Sequence, residues 1–146
     1  MADPQARFDE LLRKLRQRRC RLTPQRLAVL RLLTTSKDHL SPAQVYDRLK
    51  DDFPTMSLAT VYKTLDLLKD MGEVLELGFS SDDNRYDARC PFPHPHVICT
   101  RCHRIIDAEI HLSDRLIQEA AQLSGYQIVG HRFDLYGLCP ECQHSG

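Results

Sequence analysis

A chain of 146 residues holds one domain of ordinary size or two small ones. Its 20 basic and 20 acidic residues cancel, so the global charge points to no class of partner. No stretch approaches the roughly 18 consecutive apolar residues of a membrane span, and MADPQARFDELL lacks the apolar centre of a signal peptide.

A cytoplasmic chain with reduced thiols and no membrane partner is therefore expected, and in it six cysteines favour metal or redox chemistry over a disulfide framework. The charges are unevenly placed. Residues 7–31 carry nine Arg or Lys against Asp9 and Glu10, whereas from residue 81 onward nine acids face six bases. A basic front and a mildly acidic back predict two parts with different tasks.

Residues 6–19 (ARFDELLRKLRQRR) set Phe8, Leu11, Leu12 and Leu15 at helical spacing, with arginines around the other faces. Thr23-Pro24 then joins a capping hydroxyl to a proline at the first helical position and opens QRLAVLRLL. Ser41-Pro42-Ala43-Gln44 repeats that start as a capping box, for a helix through Leu49. Ser57 caps SLATVYKTLDLLKDMG, which stops at Gly72. After it, VLELGF and NRYDA read as two short strands around the polar turn SSDDN. Short helices followed by a hairpin predict a winged helix-turn-helix over residues 1–84.

In that arrangement the helix opened by Ser57 is the recognition helix. Val61, Leu65 and Leu68 lie on its packed side, while Ser57, Thr60, Tyr62 and Lys63 occupy the first two turns, where such a helix meets bases and phosphates. Arg13, Lys14, Arg16, Arg18, Arg19 and Arg21 are candidates for flanking phosphates, which makes salt-dependent binding to duplex DNA the expectation. A lone basic helix is more often a solvated face; the helix-turn-helix pattern directly downstream is what favours DNA here.

The ligand-type side chains gather in RYDARCPFPHPHVICTRC, residues 85–102. Cys99-x-x-Cys102 and Cys139-x-x-Cys142 are separated by too many residues for one compact ribbon, so a strand near 104–110, a helix from Ser113 to Leu123 stopped by Gly125, and a strand near 126–136 are placed between them. Two thiols from each pair then fill a tetrahedral centre, the preference of structural Zn(II), with no position left for substrate. Redox use of the two pairs lacks a thioredoxin-like βαβ context. Asp87, Cys90, His94, His96 and Asp107 remain. His94 and His96 project to one side of an extended segment, and imidazoles with carboxylates suit Fe(II), Mn(II) or Zn(II). Spacing alone leaves open whether these residues form a second metal site or a polar loop, and it does not single out His39.

The ordered set LTPQR at 22–26, SLATVYKTL at 57–65, RYD at 85–87, HPHVICTRC at 94–102 and the closing CPEC resembles the ferric uptake regulator superfamily over about residues 7–143. The resemblance implies an α+β chain: a winged-helix DNA-binding domain over 1–84 and a small α/β metal-binding dimerisation domain over 85–146. It implies a homodimeric, cytoplasmic repressor on a two-fold-symmetric operator, structural zinc on Cys99, Cys102, Cys139 and Cys142, and a regulatory Fe(II) or Mn(II) on His39, Asp87, His94, His96 and Asp107.

Three His with two Asp is similar to the peroxide-sensing members, whereas iron sensors usually carry Glu at the positions of Asp87 and Asp107. By that resemblance, His39 or His94 is the imidazole oxidised by peroxide in the iron form, after which the repressor leaves DNA; the manganese form is insensitive. No turnover is involved, so no enzyme is expected, and peroxide is the only small-molecule reactant. The alternative within the family is an iron- or manganese-status regulator with reversible binding.

Cys20 and Cys90 lie outside the zinc set and read as inert thiols, although Cys90 is close enough to Asp87 in sequence to oxidise or ligate. His131 reads either as a remnant of a further site or as a solvated histidine. Two readings from other classes are a zinc hydrolase on His94, His96 and Asp87, which lacks an H-E-x-x-H base, and a zinc-pinned interaction module that does not meet DNA.

Overall fold

The computed structural model describes residues 3–78, 84–92, 94–108, 110 and 113–145. The chain divides into two compact units, Met1–Phe92 and Pro93–Gly146.

The first unit runs α1 (Pro4–Gln17), α2 (Pro24–Thr35), α3 (Pro42–Leu49), α4 (Leu58–Asp70), β1 (Leu75–Leu77) and β2 (Arg85–Asp87). The helix starts follow their local chemistry. Thr23 Oγ1 accepts the Arg26 N–H at 3.2 Å. Ser41 and Gln44 exchange both bonds of a capping box, and Ser57 Oγ accepts the Thr60 N–H at 3.1 Å. These contacts satisfy amides that a helix leaves without internal partners. Gly72, at φ 70°, terminates α4 in the left-handed region that a side chain disfavours.

Leu11, Leu15, Val29, Leu30, Val45, Val61, Leu65 and Leu68 meet in one core, all at most 1% exposed. Each contributes about 1.5–3 kcal/mol relative to exposure. The hairpin β1–β2 is antiparallel, with Leu75 opposite Asp87 and Leu77 opposite Arg85. Apart from Asn84, its expected turn lies outside the described residues.

The unit boundary falls after Phe92 rather than after residue 84. The intervening residues are held to the first unit by, among others, the ladder of β2 on β1 and the Ala88 carbonyl, which accepts the Arg7 Nε–H at 2.7 Å.

The second unit contains β3 (His96–Cys99), β4 (Ile105–Asp107), α5 (Asp114–Ser124), β5 (Asp134–Gly137) and α6 (Pro140–His144). Its sheet has the order β4-β3-β5, antiparallel on one side of β3 and parallel on the other. The strand expected over 126–136 is reduced to Asp134–Gly137, because the four residues of β3 give it only four partners. Gly125, at φ 72°, ends α5 as its position predicts. The described part of the chain is thus α+β, helices first and a small sheet-bearing unit second. No helix among the described residues is long and apolar enough to cross a membrane.

Candidate metal centres and nucleic-acid face

The parallel pairing of β3 with β5 builds the thiol cage. Cys99 ends β3 opposite Gly137, the last residue of β5, so both C-x-x-C turns leave the sheet at the same end. The four sulfurs of Cys99, Cys102, Cys139 and Cys142 all lie within 4.8 Å of one another. Cys102 Sγ is 3.7 Å from Cys139 Sγ, close to the edge of about 3.8 Å that zinc–sulfur bonds of about 2.3 Å give in a tetrahedron.

Cys99 Sγ accepts the backbone N–H groups of Cys102 at 3.5 Å and Cys139 at 3.4 Å. These bonds, that of Cys102 first, hold its thiol down at about 5. Hydrogen bonding of its thiol to Cys139, then burial and the other crowded sulfurs, push Cys142 up to about 12. Such a cluster of sulfurs is ionised together by a dication. Arg101 braces the two turns through the carbonyls of Cys142 and Ser145, at 2.7 and 3.0 Å.

The nitrogen and carboxylate donors form a set within each unit. In the first unit, Tyr86 N–H bonds the Leu40 carbonyl at 3.0 Å in an isolated antiparallel bridge. That bridge brings His39 Nε2 to 3.6 Å from Asp87 Oδ2. Asp87 Oδ1 accepts the backbone N–H groups of Arg89 and Cys90 at 2.9 and 3.1 Å, so the carboxylate is held with Oδ2 toward the imidazole.

In the second unit, Asp107 Oδ1 lies 2.8 Å from His94 Nε2 and 3.5 Å from His96 Nε2. The two rings are 4.2 Å apart between centroids. Adjacent ligands at about 2.1 Å from an ion are about 3 Å apart, so both sets have the donor types and spacing of a nitrogen/oxygen metal site.

One residue without a distinguishing signal in the sequence also faces this set: Asp134, whose Oδ1 is 3.5 Å from His96 Nδ1. Its one available cue is a carboxylate inside a strand pattern. Cys20 is partly buried against the first unit's core, Cys90 is partly buried, and His131 is exposed outside the sheet.

On α4, Val61, Leu65 and Leu68 are buried while Tyr62 and Lys63 are exposed. Ser57 and Thr60 share a 3.0 Å bond between hydroxyls at the start of the helix. A cavity of about 690 Å³ there is lined by Arg21, Thr23, Gln25, Arg26, Thr60 and Lys63. Arg18 and Arg19 are exposed after α1. Lys14, another of the basic residues at α1, is held by acidic neighbours. Its Nζ is tied to Glu73 at 2.6 Å and Glu10 at 3.2 Å.

A helical unit ending in a two-stranded wing, together with a unit holding a thiol cage and a histidine–carboxylate set, defines the class of metal-binding winged-helix proteins. The model of the ferric uptake regulator family matches residues 17–136. The chain is 36% identical to the peroxide-responsive repressor PerR of Staphylococcus aureus, over 93% of this chain and 91% of that one. The Helicobacter pylori ferric uptake regulator shares the fold with a TM-score of 0.81, at 23% identity over 99% of this chain and 96% of that one. A zinc uptake regulator in complex with zinc and DNA aligns with a TM-score of 0.65, at 25% identity over 98% and 97%. This chain belongs to the ferric uptake regulator family and is a metal-responsive regulator.

Proposed function

We propose that the protein is a homodimeric transcriptional repressor that binds duplex DNA while carrying a regulatory Fe(II) or Mn(II), and that hydrogen peroxide relieves repression through the iron form. The observation that carries this reading is that each unit holds a histidine–carboxylate set separate from the thiol cage. The 36% identity to a peroxide-responsive repressor supports it. In this reading Cys99, Cys102, Cys139 and Cys142 hold Zn(II) and pin the second unit. His39, Asp87, His94, His96 and Asp107 ligate a single regulatory ion. One ion bound to both sets ties the second unit to the loop entering α3, which favours one arrangement of the DNA-binding units.

Fe(II), when bound, supplies the electrons that activate peroxide; Mn(II) does so far less readily. The imidazole of His39 or His94 gains the oxygen: one histidine and one hydrogen peroxide give one 2-oxo-histidine and one water. The altered ring is a poorer ligand, and the tie between units weakens. Ser57, Thr60, Tyr62 and Lys63 meet the major groove, and Arg18 and Arg19 meet phosphates. Leu116, Leu123, Tyr126 and Val129, all exposed, supply apolar surface for pairing with a second copy.

The test is intact and peptide mass after one equivalent of hydrogen peroxide is added to Fe(II)-loaded protein, with gel shifts on a two-fold-symmetric duplex. A gain of one oxygen on the peptide holding His39 or His94, with loss of the shifted band, is expected. Unmodified histidines with the shift retained reject peroxide sensing in favour of reversible metal sensing. No shift with Mn(II) present rejects the repressor.

A further inference from the structure

The sheet of the second unit sets one imidazole between two carboxylates. His96 on β3 is the cross-strand partner of Asp107 on β4 and of Asp134 on β5, and neighbouring strands lie only about 4.8 Å apart. The ring therefore faces a carboxylate with each nitrogen: Nε2 is 3.5 Å from Asp107 Oδ1, and Nδ1 is 3.5 Å from Asp134 Oδ1. Asp107 is shared with His94, at 2.8 Å. The Asp134 side chain is 8% exposed, and its other oxygen is held by the Arg132 Nε–H at 2.6 Å. With Oδ2 occupied in this way, Oδ1 is left toward His96.

A neutral imidazole carries one proton, and an acceptor opposite one nitrogen decides which nitrogen keeps it. We infer that Asp134 is a positioning residue for the regulatory ion: its Oδ1, in charge contact with His96 Nδ1 at 3.5 Å and not closed to a hydrogen bond, favours the proton on that nitrogen, which leaves the Nε2 lone pair unprotonated and directed to the side of Asp107 and His94. Arg132 fixes Asp134 in turn. An anionic acceptor behind a ligand imidazole also raises its basicity, and loss of such a partner typically weakens metal binding roughly 10–100-fold. This inference rests on the regulatory-metal reading above and adds to it a residue that binds no metal itself.

The experiment uses full-length protein with its zinc cage filled. Two-bond ¹H–¹⁵N spectra report the tautomer of His96 before Mn(II) is added, and Mn(II) titration gives the affinity of wild type, D134N, D134E and H96A. In wild type, the proton is expected on Nδ1. D134N is expected to lose roughly 10–100-fold in Mn(II) affinity and to shift His96 toward the Nε2–H form, with D134E restoring most of both because it keeps an anionic acceptor. A wild-type ring protonated on Nε2, or D134N with unchanged tautomer and affinity, overturns the role of Asp134. Should D134N fail to fold, the wild-type tautomer alone decides. If H96A binds Mn(II) as wild type does, the regulatory site and this inference fall together. If H96A loses the ion and D134N does not, only the inference falls.

Discussion

The backbone bond from Tyr86 N–H to the Leu40 carbonyl sets His39 opposite Asp87, with Nε2 and Oδ2 3.6 Å apart. Antiparallel pairing at Leu40 and Tyr86 necessarily faces the residue before one with the residue after the other. A loop histidine and a strand aspartate thereby become neighbours in the first unit. Ser41, two residues beyond His39, caps α3, so any force on the imidazole reaches the start of the helix-turn-helix directly.

H39A and D87A are expected to weaken Mn(II) binding more than the roughly 10–100-fold that loss of an outer partner costs, with zinc content unchanged. Isothermal titration with metal analysis of the same samples checks this. Full Mn(II) affinity in either variant contradicts the ligand assignment.

Removal of zinc should unfold the second unit selectively. Structural zinc supplies apparent binding energies on the order of 10–16 kcal/mol at neutral pH, and the cage joins the ends of β3 and β5. Hydrogen exchange on C99S, or on chelated wild type, is expected to lose protection in β3, β5 and α5 while α1–α4 remain protected. Retained protection across β3 and β5 would contradict a structural role for the cage.

Arg7 is 5% exposed and bonds the Ala88 carbonyl at 2.7 Å, the Glu73 carbonyl at 3.0 Å and the Glu73 carboxylate at 3.0 Å. R7A leaves the two carbonyls without that donor and the Glu73 carboxylate with Lys14, at 2.6 Å, in place of two cations. A loss of about 2–4 kcal/mol from the first unit is expected. The urea midpoint at constant slope measures it.

Glu76 accepts from Lys69 at 2.6 Å, Asn84 at 2.8 Å and the Tyr86 hydroxyl at 2.9 Å. These contacts, Lys69 first, hold its carboxyl below the ordinary 4.5. A folded value below the unfolded one means that the unfolded chain binds the proton more readily. The associated stability is therefore complete above about pH 4.5 and is lost as pH falls through the lower folded value. Urea midpoints between pH 3 and 7 should fall less steeply for E76Q than for wild type in that acid window; identical slopes would count against the carboxylate's contribution.

What could be read directly from the chain was whatever depends on near neighbours. Thr23, Ser41 and Ser57 cap helices because the amides they accept belong to residues three positions on. Gly72 and Gly125 end helices because only their own φ is involved. The two C-x-x-C pairs announce a thiol centre because each pair already has the local spacing of a metal turn. The alternation in His94-Pro-His96 likewise predicts two rings on one side, and the rings lie close together.

Tertiary structure decided the relations that depend on register between distant segments. The bridge at Leu40 and Tyr86 selects His39, and the parallel register of β3 and β5 brings Asp134 to His96. The fold also sets Arg7 and Lys14 against Glu73, and Arg7 against the Ala88 carbonyl. Each of these polar side chains looks alike whether it meets water or a partner. Only the closing of long loops by backbone hydrogen bonds and apolar burial determines which of the two it meets.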